Sequence, residues 1–139
     1  MINVANAEFV MYSLKDWPVE QFSKEMDVKW SSFCKIGDRM NNVNRCKIET
    51  AWKVSKKFEF DVQCPTILLK EIIAELEPKL SLIKQYMEQY DITCVLYLHA
   101  IFHNIMVPNI QLDKAVIRFA NDVDAKLDIY LNTVPSIAS

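Results

Sequence analysis

A single glycine, Gly37, serves the whole 139-residue chain. Loops that cradle phosphate, and the sharp turn that presents a nucleophilic serine, need several residues without a Cβ. There the backbone must approach a ligand closely or turn at positive φ. With one glycine the sequence contains no G-x-G-x-x-G fingerprint, no Walker A loop and no G-x-S-x-G elbow. Long apolar runs are missing as well. The most apolar stretch, Ile92 to Val107, is interrupted by Thr93, His99, His103 and Asn104, and is too short and too polar to span a bilayer. Met1 to Ala7 carry neither a basic n-region nor an apolar h-region, so no secretory signal is read and a cytoplasmic location is expected.

Neither sign of charge dominates. Sixteen basic residues face eighteen acidic ones, a formal net charge of −2 with an isoelectric point near 5.7. That balance argues against nucleic acid as a direct partner, which calls for a basic stripe. Cys34, Cys46, Cys64 and Cys94 are 12, 18 and 30 residues apart. No C-x-x-C pair arises, so no zinc knuckle or redox site is signalled, and free thiols packed as small hydrophobes are expected. What is present is an ordinary globular composition, 51% apolar and 24% charged. A chain of this length makes one domain (residues 1–139, with 133–139 as a frayed tail) that buries roughly 65–70% of its unfolded surface.

Alternation places the first strand over Ala7 to Ser13, with Phe9 and Met11 on one side and Glu8, Val10 and Tyr12 on the other. Asp16-Trp17-Pro18 opens a short helix, Pro18 taking its first position, with Val19, Phe22 and Met26 on its apolar face. Lys29 to Ile36 reads as extended, Gly37-Asp38 as its turn, and the polar run Asn41 to Arg45 as a loop. The clearest strand follows. Ile48, Thr50, Trp52, Val54, Phe58 and Phe60 fall on even positions and charged residues on odd ones, with Lys56 breaking the pattern.

After Pro65-Thr66 comes a helical region with Leu69, Ile72, Ile73 and Leu76 on one face. Pro78 must break or kink it, since proline removes a hydrogen bond and clashes with the preceding turn. The second part then carries a stripe of Leu80, Ile83, Met87 and Tyr90. A long strand is read over Ile92 to Met106, its even positions toward the helices, and Pro108-Asn109 ends it. Asp113 caps a last helix with Val116, Phe119, Ala120 and Val123 inward, and Lys126 to Asn132 closes the fold with Leu127, Ile129 and Leu131 inward. The order β-α-β-β-α-α-β-α-β predicts an α+β fold, a mainly antiparallel sheet with helices on one face.

Candidate chemistry is sparse. His99 and His103 sit four apart, a zinc spacing on a helix. On a strand their Cα atoms lie about 13 Å apart, too far to share one ion, so no metal site and no cofactor are expected. With Tyr97 they project from one sheet face and could line a partner or ligand surface. Cys94 points the opposite way from His99, which disfavours a Cys–His pair. Asp122, Asp124 and Asp128 fall in a turn leading to a strand, and Glu71, Glu75 and Glu77 on the wet side of a helix. Lys47, Lys53, Lys56 and Lys57 form a modest basic group, read as protection of a sheet edge.

From the first helix to the glycine turn the chain resembles a bacterial family called domain of unknown function 4279. That family shows Ile-Thr-x-x-Leu-Gly-Ile-x-Pro-Thr and then Gly-Asp. Here Phe22, Ser23, Met26, Asp27, Val28, Trp30 and Ser31 stand at that spacing, followed by Gly37-Asp38. Asp27 replaces the preferred glycine and Trp30 the preferred proline, so the local turn is expected to differ. Trp52, the long helical region, Pro108 before Ile110 and Leu112, and Leu127-Asp128-Ile129-Tyr130 are similar in order and spacing, extending the likeness over roughly residues 7–132.

The resemblance implies a small cytosolic bacterial α+β protein with no established catalytic residues. By class analogy the expected function is non-catalytic: an immunity protein that binds and neutralises a toxin domain, working as a monomer or homodimer away from membranes. The slightly acidic charge suits a basic toxin. The alternative is a small-ligand-binding or weakly enzymatic domain using Tyr97, His99 and His103.

Overall fold

A computed structural model describes residues 3–40, 47–60, 65–103 and 110–134, the side chains at positions 58 and 60 excepted. The loop read over Asn41 to Arg45, the strand end at 104–106, the Pro108-Asn109 break, Cys46, Cys64 and the tail from residue 135 lie outside these. The elements are β1 (Asn3–Ser13), α1 (Val19–Met26), β2 (Ser31–Cys34), β3 (Thr50–Phe60), α2 (Ile67–Leu76), α3 (Leu80–Gln89), β4 (Thr93–Phe102), α4 (Lys114–Asp122) and β5 (Lys126–Thr133). A 3₁₀ turn, Glu77–Lys79, joins α2 to α3 at Pro78, where the sequence requires a break.

The five strands form one sheet in the order β2-β3-β1-β4-β5. All pairings are antiparallel except β4 with β5. Every helical connection therefore returns the chain parallel to the strand it left: β1 to β2 past β3, β3 to β4 past β1, and β4 to β5 directly. The helices collect on one face. Ala5, Ala7, Phe9 and Met11 of β1, Trp52 and Val54 of β3, and Cys94, Leu96, Leu98, Ala100 and Phe102 of β4 meet them and are buried. The period-two readings hold, although β1 begins at Asn3 and Ile48 precedes its strand and is exposed.

An aromatic chain fixes the helices to this face. The Phe22 ring lies 5.1 Å from Trp52, 4.8 Å from Tyr86 and 5.5 Å from Trp17, each edge-to-face. Phe9 continues the series to Trp52 at 6.5 Å and Phe119 at 5.5 Å. Such pairs add about 0.5–1.5 kcal/mol each beyond the area they bury. Tyr86 was not in the stripe read for α3. Ile83 and Tyr86 are the buried residues there, while Leu80, Met87 and Tyr90 are only partly covered. Position 86 turns toward the aromatic chain and Glu25 rather than along the outer i, i+3, i+7 line. Thr50 ties the β1 end to β3: its hydroxyl reaches Asp16 and accepts from the Ile36 N–H, and its carbonyl accepts from Trp17 Nε1 at 2.9 Å.

Local turns are built as the residues dictate, with some departures. Pro18 stands one residue before α1, its carbonyl accepting the Phe22 N–H. Asp113 Oδ1 caps α4 by accepting the Ala115 N–H at 2.9 Å. Asp27 takes φ 48°, the left-handed conformation a glycine would adopt, and closes α1 through Ser23. At Trp30 the backbone has φ 63°, which proline cannot reach, so the turn departs from the family pattern at that residue.

Two expectations are corrected. Lys53 lies inside the sheet, between Val10 of β1 and Ser32 of β2, so it guards no edge, whereas Lys56 and Lys57 lie beyond the four residues that pair with β2. Lys56 is on the helix side, paired with Glu71 and 4.4 Å above the Trp30 ring. β5 is an edge strand, and Leu127, Ile129 and Leu131, read as inward, remain 36–41% exposed, since no described helix packs closely over them. Thr133, read as tail, belongs to this strand.

Two outcomes test this frame. Gly37 has φ 93° with open space where a Cβ would go, so Gly37→Ala meets only backbone strain. Its cost should be about 1–3 kcal/mol in a urea titration. Burial and then Glu25, which accepts the Tyr86 hydroxyl at 3.1 Å, push the Tyr86 phenol up to about 12 from an ordinary 10.0. Between those values the unfolded chain has lost a proton that the folded one keeps. Stability is therefore complete below pH 10 and falls as pH rises through this window. Tyr86→Phe should cost about 1 kcal/mol at neutral pH and flatten that fall, read from melting curves across pH.

Candidate functional site

The face of the sheet opposite the helices carries no described helix, and register decides what it presents. Tyr97 on β4 stands directly between Glu8 on β1 and Asp128 on β5, while His99 stands between Asn6 and Tyr130. The next row of β1, toward the β2 end, brings in Val10 with Lys53 and then Tyr12 with Ala51. Glu8 is positioned by its neighbours: its Oε1 accepts from Asn6 Nδ2 at 3.2 Å and from the Ser55 hydroxyl at 3.3 Å.

A groove of about 480 Å³ runs across this face, walled by Tyr12 and Tyr97, with Val10 and Ala51 in its lining. Glu8 and Glu49 supply carboxylates, and Lys47 and Lys53 supply amines. The Tyr97 phenol is held above its ordinary range first by burial and then by Asp128, with Tyr12, Glu49 and Glu8 adding to it. Glu8 and Asp128 thus flank Tyr97 on the neighbouring strands, and Glu49 lines the same groove. That setting favours a cation over its ring, where a partner ammonium or guanidinium meets both the π-face and negative charge.

Of the three residues the sequence singled out, only Tyr97 lines the groove. His99 is exposed and meets Tyr130 edge-to-face at 5.0 Å. His103 lies one residue beyond β4. Its backbone N–H donates to Asn3 Oδ1 at 2.8 Å, and its Nδ1 is buried with no partner among the described residues. The histidines are thus not brought together around a common point. Among the described residues no three His, Cys, Asp or Glu side chains are grouped for a metal ion, and no helix is long and apolar enough to cross a membrane.

Sequence reading missed Glu8, Glu49, Tyr12 and Asp128 as companions of Tyr97. Alternation put Glu8 and Tyr12 on the polar side of β1, but only strand order makes β1 and β5 the two neighbours of β4. A second, broader depression of about 780 Å³ lies beside the start of α1, near Trp17 and Tyr90. In it Lys35 Nζ meets Glu20 Oε2 at 3.0 Å, and Asp16 accepts from the Thr50 hydroxyl.

Cys94 faces the core, 1% exposed, and burial pushes its thiol up to about 12. Cys34 lines the groove and is partly exposed. A maleimide should therefore label Cys34 in the native protein and Cys94 only after unfolding, as peptide mass spectrometry would show. Rapid native labelling of Cys94 would contradict its placement.

The chain matches no curated protein and no solved structure. A family model described as Domain of unknown function (DUF4279) matches residues 3–133. That span takes in every strand and helix described above, so the chain belongs to this domain family of unknown function.

Proposed function

We propose that this protein is a non-catalytic bacterial interaction protein, an immunity protein of the cytoplasm that binds and neutralises a cognate toxin domain. In this reading the sheet face opposite the helices is the binding surface. The observation that carries it is the flanking of Tyr97 by Glu8 on β1 and Asp128 on β5, beside a groove of about 480 Å³ that Tyr97, Glu8 and Glu49 line. An arginine or lysine from a basic partner inserts over Tyr97, neutralised by the carboxylates, while Lys47 and Lys53 orient acidic groups at the other end. Aromatic anchors of this kind, ringed by polar groups, dominate the energetics of protein interfaces. The same charges accelerate encounter with a basic partner at low salt.

A second reading is favoured by the groove's volume, which falls in the range of small-molecule sites. A small organic cation would sit where the partner's basic side chain does. Since neither histidine lines the groove, this reading rests on Tyr97 and the carboxylates alone.

The test uses the protein encoded beside this one in its native operon as probe. It should co-purify, and Tyr97→Ala should weaken the complex by about 2 kcal/mol, roughly thirty-fold in Kd, with an unchanged melting temperature. Binding should also weaken with added salt. If no neighbouring product co-purifies, or if Tyr97→Ala together with Glu8→Gln leaves affinity untouched, the proposal fails. Saturable binding of a small amine to the isolated protein, lost in Tyr97→Ala, would favour the second reading.

A further inference from the structure

The two edges of the sheet are unequal. On one side β2 offers four residues and runs into the Gly37 turn, and beyond it β3 presents Lys56, Lys57 and Glu59, so this edge is short or charged, of the kind that resists pairing. β5 offers eight residues, all exposed, bonded to β4 on one side only. It lacks the usual protections. No proline interrupts it, and its two charges, Lys126 and Asp128, lie at its start on the open face. Its helix-side residues are Leu127, Ile129 and Leu131, and Tyr130 on the other face is 59% exposed. An open, exposed backbone edge is a ready template for another strand.

The side-chain order says which strand. In an antiparallel pair, directly opposed residues lie on the same face, so self-pairing keeps this apolar row on one side. With the two-fold axis at Ile129, Ile129 meets its own copy and Leu127 meets Leu131 of the other copy, twice. All six apolar side chains are matched, Asp128 faces a tyrosine and Lys126 faces Asn132. Centring on Asp128 would oppose two carboxylates, and centring on Tyr130 would leave Leu127 against Thr133. The register at Ile129 is the one in which every apolar residue finds an apolar partner and no like charges meet.

We propose that β5 pairs antiparallel with β5 of a second copy about a two-fold axis at Ile129, joining both molecules through one continuous sheet. The edge shares only Asp128 with the face around Tyr97, and each idea has its own test at other residues, Ile129 for the edge and Tyr97 for the face.

Light scattering during size exclusion at tens of micromolar should give twice the 16.2 kDa chain mass. Ile129→Lys sets two ammonium groups face to face and should raise the dimer dissociation constant by roughly a hundredfold or more. Ile129→Cys should form a covalent dimer on mild oxidation, because opposed Cα atoms about 4.5–5.5 Å apart suit a disulfide. Lys53→Cys, exposed but inside the sheet, should cross-link no more than the unaltered protein. A monomeric wild type, an undiminished dimer in Ile129→Lys, or absence of the Ile129→Cys cross-link would each overturn the proposal. Should the lysine variant fail to fold, the cysteine cross-link alone decides.

Discussion

Edge-to-face packing around Phe22 is the interaction on which the rest of this fold depends. Its ring joins α1 to β3 through Trp52, to α3 through Tyr86 and to the β1–α1 link through Trp17. Phe9 carries the same chain on to α4. Three connections of the chain must each lay a helix against the same side of the sheet, and one connected aromatic group gives them a common seat. Aromatic side chains bury large areas and prefer particular relative orientations. The helices are therefore fixed in angle as well as in depth.

Among the described residues, helices cover one face of the sheet and not the other. The consequence is a surface whose composition is set by the odd positions of β3 and β4 and the even positions of β1. Those positions mix polar and aromatic residues with small apolar ones such as Val10, Ala51 and Val95, the last two of them buried. Tyr97 is placed there among carboxylates that it does not neutralise, and the polar contacts of Glu8 with Asn6 and Ser55 hold one of them in position. The same one-sided cover ends before β5. That is why Leu127, Ile129 and Leu131 point to the helix side and remain exposed.

Much of the fold was legible because its signals are local. Alternation identified β1, β3 and β4, with Phe9, Met11, Trp52, Val54, Cys94, Leu96, Leu98, Ala100 and Phe102 inward as read. Pro78 marked the break between α2 and α3, and Asp113 marked the start of α4. Where reading along the chain failed, the cause lay in packing. Leu127 follows the period-two pattern yet is inward and exposed, and Lys56, which breaks the apolar pattern, is inward and paired with Glu71 on the helix side. Tyr86 is buried because an aromatic group and a carboxylate wait beside it, not because of its place in a repeat. Asp27 keeps a left-handed backbone without being glycine, since a short polar side chain tolerates that region.

Residue order alone determined the fold class, the sides of the strands and the lack of glycine-dependent chemistry, because each follows from periodicity or from the presence of a residue type. Only the tertiary structure decided which strands are neighbours. That choice brings Glu8 and Asp128 to either side of Tyr97, separates the two histidines in environment and leaves β5 as the long edge. Strand order is set by how helical crossovers share one face, a property of the whole chain that no local stretch encodes.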